Sequence, residues 1–394
     1  MLEEKVLELI KKQEEYMINM RRTFHKYPEL SGEEFKTRER IIQELEKLNI
    51  PYRLLSGTGI IATIKGKYSG KNILLRADID ALPIQEEKFN LKQAKECVSS
   101  IDGVCHACGH DAHMAILLGT IKVLKEIQNE LHGTVYCCFE EGEETNCGID
   151  TMMEALNDYT IDKCFGLHVY NKLETGKINI EPGPRMAGAI GIGFDIIGKG
   201  GHGSRPDLSI NPIIPAAHII TQINSAFVNQ IDAEETVTLG IGMLKAGEAI
   251  NIIPDSAYIG GTARFFKNEE GEKALKIIEN ISKNVALSHN CNIKYETRNK
   301  IILYPVINDK ECVLNLQKKL KQMCGEEVLK DCNKWYASET YSKYLEKYPG
   351  VLAFLGIKND NLGIGAEHHN SKFDIDESSL VLGVCVEIAF VLSD

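Results

Sequence analysis

Apolar and polar positions along the first third of the chain follow a pattern that is typical of alternating strands and helices. Apolar residues recur at helical spacing in residues 3–25 and again from about 110 to 130. Short apolar runs at 58–64, 72–76 and 133–139 predict buried strands. This alternation predicts an α/β fold with a mixed, largely parallel sheet covered by helices on both faces.

From about residue 187 the pattern predicts a second domain that is inserted in the first. The order is strand, helix, strand, strand, helix, strand, which is the ferredoxin-like βαββαβ unit. Its predicted elements are strands at 189–197, 235–243, 256–263 and 292–297 and helices at 211–228 and 270–288. We therefore expect a first domain of residues 1–186 and 303–394 and an inserted domain of residues 187–302. A length of 394 residues agrees with two cores.

Single residues predict where the first helices end and begin. Pro28 should end the first helix, because proline removes a backbone donor. Ser31 followed three residues later by Glu34 has the spacing of a capping box, which predicts a helix over about 32–48.

Composition and charge narrow the class of protein. The chain is 43% hydrophobic and 26% charged, and its net charge of −11 argues against nucleic acid as a partner, since phosphate binding needs a basic face. No apolar run approaches the roughly 20 residues that span a membrane. The charged N-terminus does not resemble a signal peptide. We therefore expect a soluble cytoplasmic protein whose twelve cysteines are reduced thiols.

Residues 104–113 carry the densest chemistry in the chain. They place two thiols, three imidazoles and a carboxylate directly before a predicted helix. Thiolate sulfur, imidazole nitrogen and carboxylate oxygen are ligands for zinc and similar ions. One Cys-X-X-Cys pair without a second pair falls short of a zinc ribbon, so the pair alone favours a role other than metal binding. A metal site here needs ligands from elsewhere.

Candidate ligands follow other strands of the same domain. Asp78 and Asp80 come after the strand at 72–76, and the acidic run 140–144 follows the strand at 133–139. His168 ends a further strand, and the histidine pair 368–369 lies in a glycine-rich loop. Each could be ordinary surface or packing. Together they place ligands at strand ends, where sites of α/β sheets lie, and a bound dication would hold the repelling carboxylates together.

The order of these motifs resembles the aminoacylase and carboxypeptidase family of metal-dependent exopeptidases. The most specific segments are 76–84, 106–111 and 198–202. The branch with the greatest likeness is that of the amidohydrolases, with hippurate hydrolase, the auxin-conjugate hydrolases and N-acetyldiaminopimelate deacetylase. The resemblance implies an aminopeptidase-like catalytic domain, and it makes the inserted βαββαβ domain a lid through which subunits form a homodimer.

The resemblance also implies two divalent metal ions per subunit, with zinc, manganese, cobalt and nickel as candidates. The positions that match the family's metal ligands are Cys108, His110, Glu144, His168 and His369. Glu143 matches the general base. In the inserted domain, His202 matches a catalytic histidine, and Asn251 and Arg264 match residues that contact substrate.

Some positions depart from the family pattern. Glu140, Glu141 and Gly142 replace the usual Gln-Pro-Ala, and this added negative charge could affect substrate choice or the pKa of Glu143. Cys105 stands where methionine is common. A disulfide between Cys105 and Cys108 would remove a ligand, so we also consider a redox-sensitive pair of low-pKa thiolates.

The resemblance implies a metal-dependent amidohydrolase that cleaves the amide bond of N-acyl amino acids, with Glu143 as the general base. A dipeptidase or an aminobenzoyl-glutamate-type hydrolase would use the same chemistry. A protein of another class, which binds metal or peptide without catalysis, is the further alternative. Glu143 beside Glu144 favours catalysis, because simple metal binding needs no additional base.

Overall fold

The computed structural model describes residues 2–393. None of the helices in this range is long and apolar enough to cross a membrane. The α-helices are α1 Leu2–Lys12, α2 Glu14–Lys26, α3 Phe35–Lys47, α4 His110–Glu126, α5 Ile149–Ala155, α6 Ile213–Gln230, α7 Asn268–Ser288, α8 Lys310–Cys324, α9 Ser342–Lys347 and α10 Ser379–Val391. The strands are β1 Tyr52–Leu54, β2 Ile60–Lys65, β3 Tyr68–Asp78, β4 His132–Glu140, β5 Lys163–Glu174, β6 Ile178–Asn179, β7 Gly183–Met186, β8 Gly188–Ile197, β9 Gly201–His202, β10 Val237–Ala246, β11 Ile252–Ile253, β12 Ser256–Phe265, β13 Asn292–Tyr295, β14 Lys300–Leu303, β15 Val306–Asn308 and β16 Gly350–Lys358.

The chain forms two compact units. The first consists of Met1–Gly183, Ile307–Asn333 and Lys343–Asp394, and the second of Pro184–Val306 and Lys334–Ser342. The first unit is therefore discontinuous in sequence, and its last segments follow the inserted unit.

The segment Lys334–Ser342 belongs to the second unit, whereas the predicted boundaries place it in the first domain. Its backbone contacts lie in the second unit, because the amide of Ala187 donates to the carbonyl oxygens of Trp335 at 3.1 Å and Ala337 at 2.9 Å. Main-chain pairing of this kind leaves no local pattern of apolar residues, so it could not be predicted from the residue pattern.

The first unit is built on a seven-stranded sheet in the order β1-β2-β4-β3-β5-β16-β6. The central strands β4, β3, β5 and β16 are mutually parallel, and the outer pairs are antiparallel. Helices α4 and α10 are buried along nearly their whole length, which explains why they are apolar on most faces. The predicted mixed, largely parallel sheet is confirmed.

The second unit has an antiparallel sheet in the order β10-β12-β8-β13, with β14 also paired to β8. Helices α6 and α7 pack against each other and against this sheet. Strand, helix, strand, strand, helix and strand follow one another as predicted, so the βαββαβ fold is confirmed.

The start of α3 differs from its prediction. The helix begins at Phe35 and has no side-chain cap from the residue before it. Ser31 donates instead to Asp80 Oδ2 at 2.6 Å, so the capping box is wrong. The Glu29 carboxylate accepts from the amide of Thr37 at 2.7 Å and takes the place of the expected cap. A capping box and a tertiary contact use the same residue types, so the motif could not distinguish them.

Candidate metal centre

The candidate centre lies where neighbouring parallel strands of the first unit reach their carboxyl ends. Asp78 ends β3 and is in register with Glu140, which ends β4. His168 lies in β5, on the other side of β3. Polar side chains that are far apart in sequence therefore meet at one edge of the sheet.

Gly109 allows α4 to start beside this edge. Its φ is +94°, in the left-handed region that favours glycine. A Cβ atom there would lie 2.3 Å from Cγ2 of Val169 in β5, so the close approach also requires glycine. Cys108 precedes this turn and His110 opens the helix. The turn thus fixes both predicted ligands against β5.

The five predicted ligands come together in two overlapping groups. Cys108, His110 and His168 form one, and Cys108, Glu144 and His369 form the other, with the possible ligand atoms of each group within 4.8 Å of one another. The Cys108 Sγ atom lies 3.5 Å from His168 Nε2. Glu144 Oε1 lies 3.3 Å from His369 Nε2. Cys108 belongs to both groups.

Of the histidine pair, His369 faces the other ligands. Both ring nitrogens of His368 are buried, and the ring packs at 5.3 Å from the ring of His168 and at 4.9 Å from that of Phe373. His369 has a left-handed φ of +60°, which sends the two neighbouring side chains in different directions. The geometry favours His369 as the ligand, and it gives His368 a packing role.

The donor atoms fit divalent metal. Within residues 2–393, His110 Nε2 and Glu144 Oε1 are buried and lack a hydrogen-bond partner, and they lie 3.8 Å apart. Buried polar atoms are almost always satisfied, so such a pair indicates a ligand. A thiol, imidazoles and a carboxylate suit zinc and other transition ions.

The pKa shifts of Cys108 and His110 also agree with a site for a cation. Burial, together with the charge of Glu144, raises the pKa of the Cys108 thiol well above its usual range. Burial opposes the charged form of His110, but Asp78 and Asp80 outweigh it and raise the pKa of this imidazole well above its usual range. Without metal, the centre therefore holds protons on both groups, and a cation would replace them.

Asp80 orients two of the predicted ligands. Its Oδ1 atom lies 3.0 Å from His110 Nδ1, which leaves His110 Nε2 for metal. Its Oδ2 atom accepts from the backbone amide of Glu144 at 3.0 Å and from the Ser31 hydroxyl at 2.6 Å. One carboxylate thus connects the start of α4 with the acidic turn.

Asp78 engages His113 rather than metal. Its Oδ1 atom lies 2.6 Å from His113 Nδ1, and the amide of Val169 donates to His113 Nε2 at 3.0 Å. Both nitrogens of His113 are thereby used. Arg76 donates to Asp78 Oδ2 at 2.7 Å. His113 therefore has no ring nitrogen left for a metal ion.

The two additional acidic residues have partners of their own. Glu140 Oε2 accepts from Arg76 Nε at 2.8 Å and from the Tyr344 hydroxyl at 2.8 Å. Glu141 Oε2 accepts from the amide of Thr58 and from that of Gly59, the latter at 2.8 Å. These donors offset the negative charge that Glu140 and Glu141 add beside the site.

Glu143 occupies the position expected of a base. It lies in a 3₁₀ turn, Glu143–Thr145, that follows Gly142 with a φ of +61°. One of its carboxylate oxygens is within 4.8 Å of the ligand atoms of His110 and Glu144, and the residue is 9% exposed. It is therefore close to the candidate ligands and shielded from bulk water.

The surroundings of Cys105 do not favour a low-pKa thiolate. Cys105 and Cys108 are free thiols. Burial raises the pKa of Cys105 to about 12, so it is protonated at neutral pH. The backbone of Cys105 pairs with that of Leu82, which gives the residue a packing role.

The three remaining predicted residues lie in the second unit. His202 is in β9, and its neighbour Gly203 donates its amide to the Asn251 carbonyl at 2.8 Å, so β9 and the Asn251 turn are adjacent. Arg264 is in β12, and its Nη1 atom donates to Thr262 Oγ1 at 2.8 Å.

Sequence reasoning missed several residues that support the centre. They are Ser31, Glu34, Thr58 and Tyr344, which bond its carboxylates and loops. Arg76 also supports the centre, since it donates to Asp78 and Glu140, and an arginine inside an apolar strand is a signal for such a buried ion pair.

Comparisons with known proteins agree with the geometry. Residues 74–393 match the family described as Peptidase family M20/M25/M40. The chain is 33% identical over 372 residues to IAA-amino acid hydrolase ILR1-like 4 of Arabidopsis thaliana, covering 94% of this chain and 83% of that protein. It is 33% identical over 371 residues to N-acetylcysteine deacetylase of Bacillus subtilis (strain 168), covering 93% of each. A crystal structure described as a dinuclear metal binding peptidase from the M20 family of Bacillus subtilis superposes with a TM-score of 0.82 at 30% identity, covering 97% of this chain and 98% of that one.

Proposed function

The chain belongs to peptidase family M20/M25/M40, and from this membership we propose that it is a metal-dependent amidohydrolase of N-acyl amino acids. The observation that carries the proposal is the position of Glu143 beside the group of candidate ligands around Cys108. Relatives named for the hydrolysis of an auxin–amino acid conjugate and of N-acetylcysteine support the substrate class.

In this proposal Cys108, His110, Glu144, His168 and His369 hold two divalent ions. The ions supply a Lewis acid for the scissile carbonyl and a water of lowered pKa. The Glu143 carboxylate accepts a proton from the attacking water and delivers it to the leaving nitrogen. Asp80 keeps His110 Nε2 directed to its ion through the contact at Nδ1.

The second unit has a role that we propose from the family resemblance. His202 stabilises the oxyanion, and Asn251 and Arg264 bind the carboxylate of the substrate, arginine through two parallel hydrogen bonds. The same unit forms the homodimer. Zinc, manganese, cobalt and nickel all suit the donor set. We place the protein in the cytoplasm, where reducing conditions keep Cys108 a free thiol.

A substrate panel tests the proposal. Metal-free protein is supplied in turn with zinc, manganese, cobalt and nickel and assayed for release of free amine. The panel contains N-acetyl and N-benzoyl amino acids, dipeptides and aminobenzoyl-glutamate. It also contains the same N-acyl amino acids with the carboxylate converted to an amide. We expect metal-dependent hydrolysis of the N-acyl amino acids and slower hydrolysis of the amides, which lack the free carboxylate.

Other outcomes separate the alternatives. Preference for dipeptides would show that the protein is a dipeptidase. Preference for aminobenzoyl-glutamate would show that it is an aminobenzoyl-glutamate-type hydrolase. Metal binding without hydrolysis of any panel member would contradict the proposed catalytic function and favour a non-catalytic metal- or peptide-binding protein.

A further inference from the structure

Glu34 is a buried carboxyl that joins three separate segments of the first unit. Its Oε1 atom accepts from the amides of Gly32 and Gly142, each at 2.9 Å. Its Oε2 atom lies 2.6 Å from the hydroxyl of Thr58. The side chain is fully shielded from solvent. It therefore connects the segment before α3, the loop before β2 and the turn after β4.

The hydrogen bonds of the Thr58 hydroxyl indicate that the Glu34 carboxyl is protonated. The Thr58 hydroxyl lies within hydrogen-bond distance of Glu34 Oε2 and also of Glu141 Oε2, the latter at 2.8 Å. A hydroxyl has a single proton and can donate to only one of these oxygens. Both contacts are satisfied when a protonated Glu34 donates to Thr58, which donates to Glu141. Burial raises the pKa of Glu34, which favours this arrangement.

The contact with Gly142 fixes the turn that carries the base. Gly142 is the left-handed residue immediately before Glu143 and Glu144. A second contact holds this turn at Glu144, since Asp80 accepts both from the amide of Glu144 and from the hydroxyl of Ser31. Ser31 and Glu34 belong to one short segment, so a single stretch of chain anchors the turn at two points.

We propose that Glu34, assisted by Ser31, is a positioning residue that sets the place of the general base Glu143 and of the ligand Glu144. Glu34 acts through the backbone of Gly142 and touches no reacting atom. The inference rests on the proposed function, because it takes the roles of Glu143 and Glu144 from it. It assigns a task to residues whose spacing had suggested only a helix cap.

The variants Glu34→Ala, Glu34→Gln and Ser31→Ala test this inference. Metal-free protein is titrated calorimetrically with Mn²⁺ alone, and kcat and KM are measured with the best substrate of the panel. Glu34→Ala should weaken Mn²⁺ binding by about 10-fold or more, the usual scale for removing a residue that orients a ligand. It should lower kcat with little change in KM, because Glu143 moves while the substrate contacts stay.

The conservative variant should restore these properties. In Glu34→Gln the amide oxygen can accept from Gly32 and Gly142, and the amide nitrogen can donate to Thr58, as the protonated carboxyl does. We expect its Mn²⁺ affinity and kcat to stay within about 3-fold of the unmodified protein. Ser31→Ala changes a half-buried residue and should also weaken Mn²⁺ binding, by about 10-fold, even if Glu34→Ala does not fold.

Glu29→Ala is the matched control. Glu29 lies in the same segment and also accepts from backbone amides, but it serves the start of α3. Its loss should lower the melting temperature and leave Mn²⁺ affinity and kcat unchanged.

Three results would overturn the inference. They are unchanged Mn²⁺ affinity and kcat in Glu34→Ala, unchanged Mn²⁺ affinity in Ser31→Ala if Glu34→Ala does not fold, and a Glu34→Gln variant as impaired as Glu34→Ala. Failure of the proposed function is a different result, since the unmodified protein would then hydrolyse nothing in the panel. The Mn²⁺ titration would still test the positioning of Glu144.

Discussion

At the scale of single residues, Glu143 and Glu144 are neighbours in one turn but have different surroundings. Glu144 Oε1 lies 3.3 Å from His369 Nε2 and 3.8 Å from His110 Nε2, as a shared ligand would. Glu143 is near His110 and Glu144 but does not belong to the group of Cys108, Glu144 and His369. A pair of carboxylates can thus divide metal binding and proton transfer.

We therefore expect Glu143→Gln to keep its metal and lose at least about 100-fold in kcat, the usual scale for loss of a general base. Glutamine has the same size and cannot accept the proton. Elemental analysis and steady-state kinetics provide the two measurements. Glu144→Ala is the contrasting variant and should lose metal. Nearly normal turnover in Glu143→Gln would show that another group is the base.

The residue types of the centre could be predicted from the sequence, but their pairings could not. Cysteine, histidine and glutamate at strand ends indicated metal, and the family resemblance selected the individual positions. The partners of Glu140 and Glu141 depend on Arg76, Tyr344 and Thr58, which are distant in sequence. Only the folded sheet shows that these acidic residues are held by donors and do not crowd the base.

At the scale of elements, the centre depends on how α4 starts against β5. The positive φ of Gly109 and its contact with Val169 bring Cys108 close to His168. Helices and buried strands were predicted well because their apolar spacing is local. The start of α3 was predicted wrongly because Ser31 and Glu34 bond across the unit.

Gly109→Ala should separate α4 from β5. Its backbone strain alone is expected to destabilise the protein by about 1 kcal/mol or more, and the clash with Val169 adds to this. Gly103→Ala is a matched control, since Gly103 also has a positive φ of +72° but an added Cβ would have nothing within 4 Å. We expect Gly109→Ala to have the lower melting temperature and the weaker Mn²⁺ binding. Equal effects of the two variants would show that the contact with Val169 is unimportant.

At the scale of the whole molecule, stability should depend on pH through a carboxyl far from the chemistry. Glu387 lies in α10, is 1% exposed, and burial raises its pKa to about 8. The folded protein therefore keeps this carboxyl protonated at neutral pH, whereas the unfolded chain loses the proton near the ordinary value of 4.5. Stability falls as pH rises between these two values, because the unfolded state then binds fewer protons.

Glu387→Gln should remove this dependence. We compare the free energy of unfolding of the variant with that of the unmodified protein. The difference should be near zero at pH 4.5, rise by at most about 1.4 kcal/mol per pH unit, and level off above pH 8. Urea unfolding of metal-free protein from pH 4.5 to 9 measures it. Glu126→Gln, an exposed change on α4, should run parallel to the unmodified protein. A constant difference between Glu387→Gln and the unmodified protein would contradict the expectation.

The division of the first unit into separate stretches of chain determines when its centre can be completed during synthesis. A growing chain releases Cys108, His110, Glu144 and His168 from the ribosome before any of the second unit, and His369 only after both stretches of that unit. A nascent chain thus has four of the five predicted ligands and lacks the last. With the ligand set that we propose, the site is complete only after both stretches of the second unit have been made, so full metal loading would report that translation has passed residue 369.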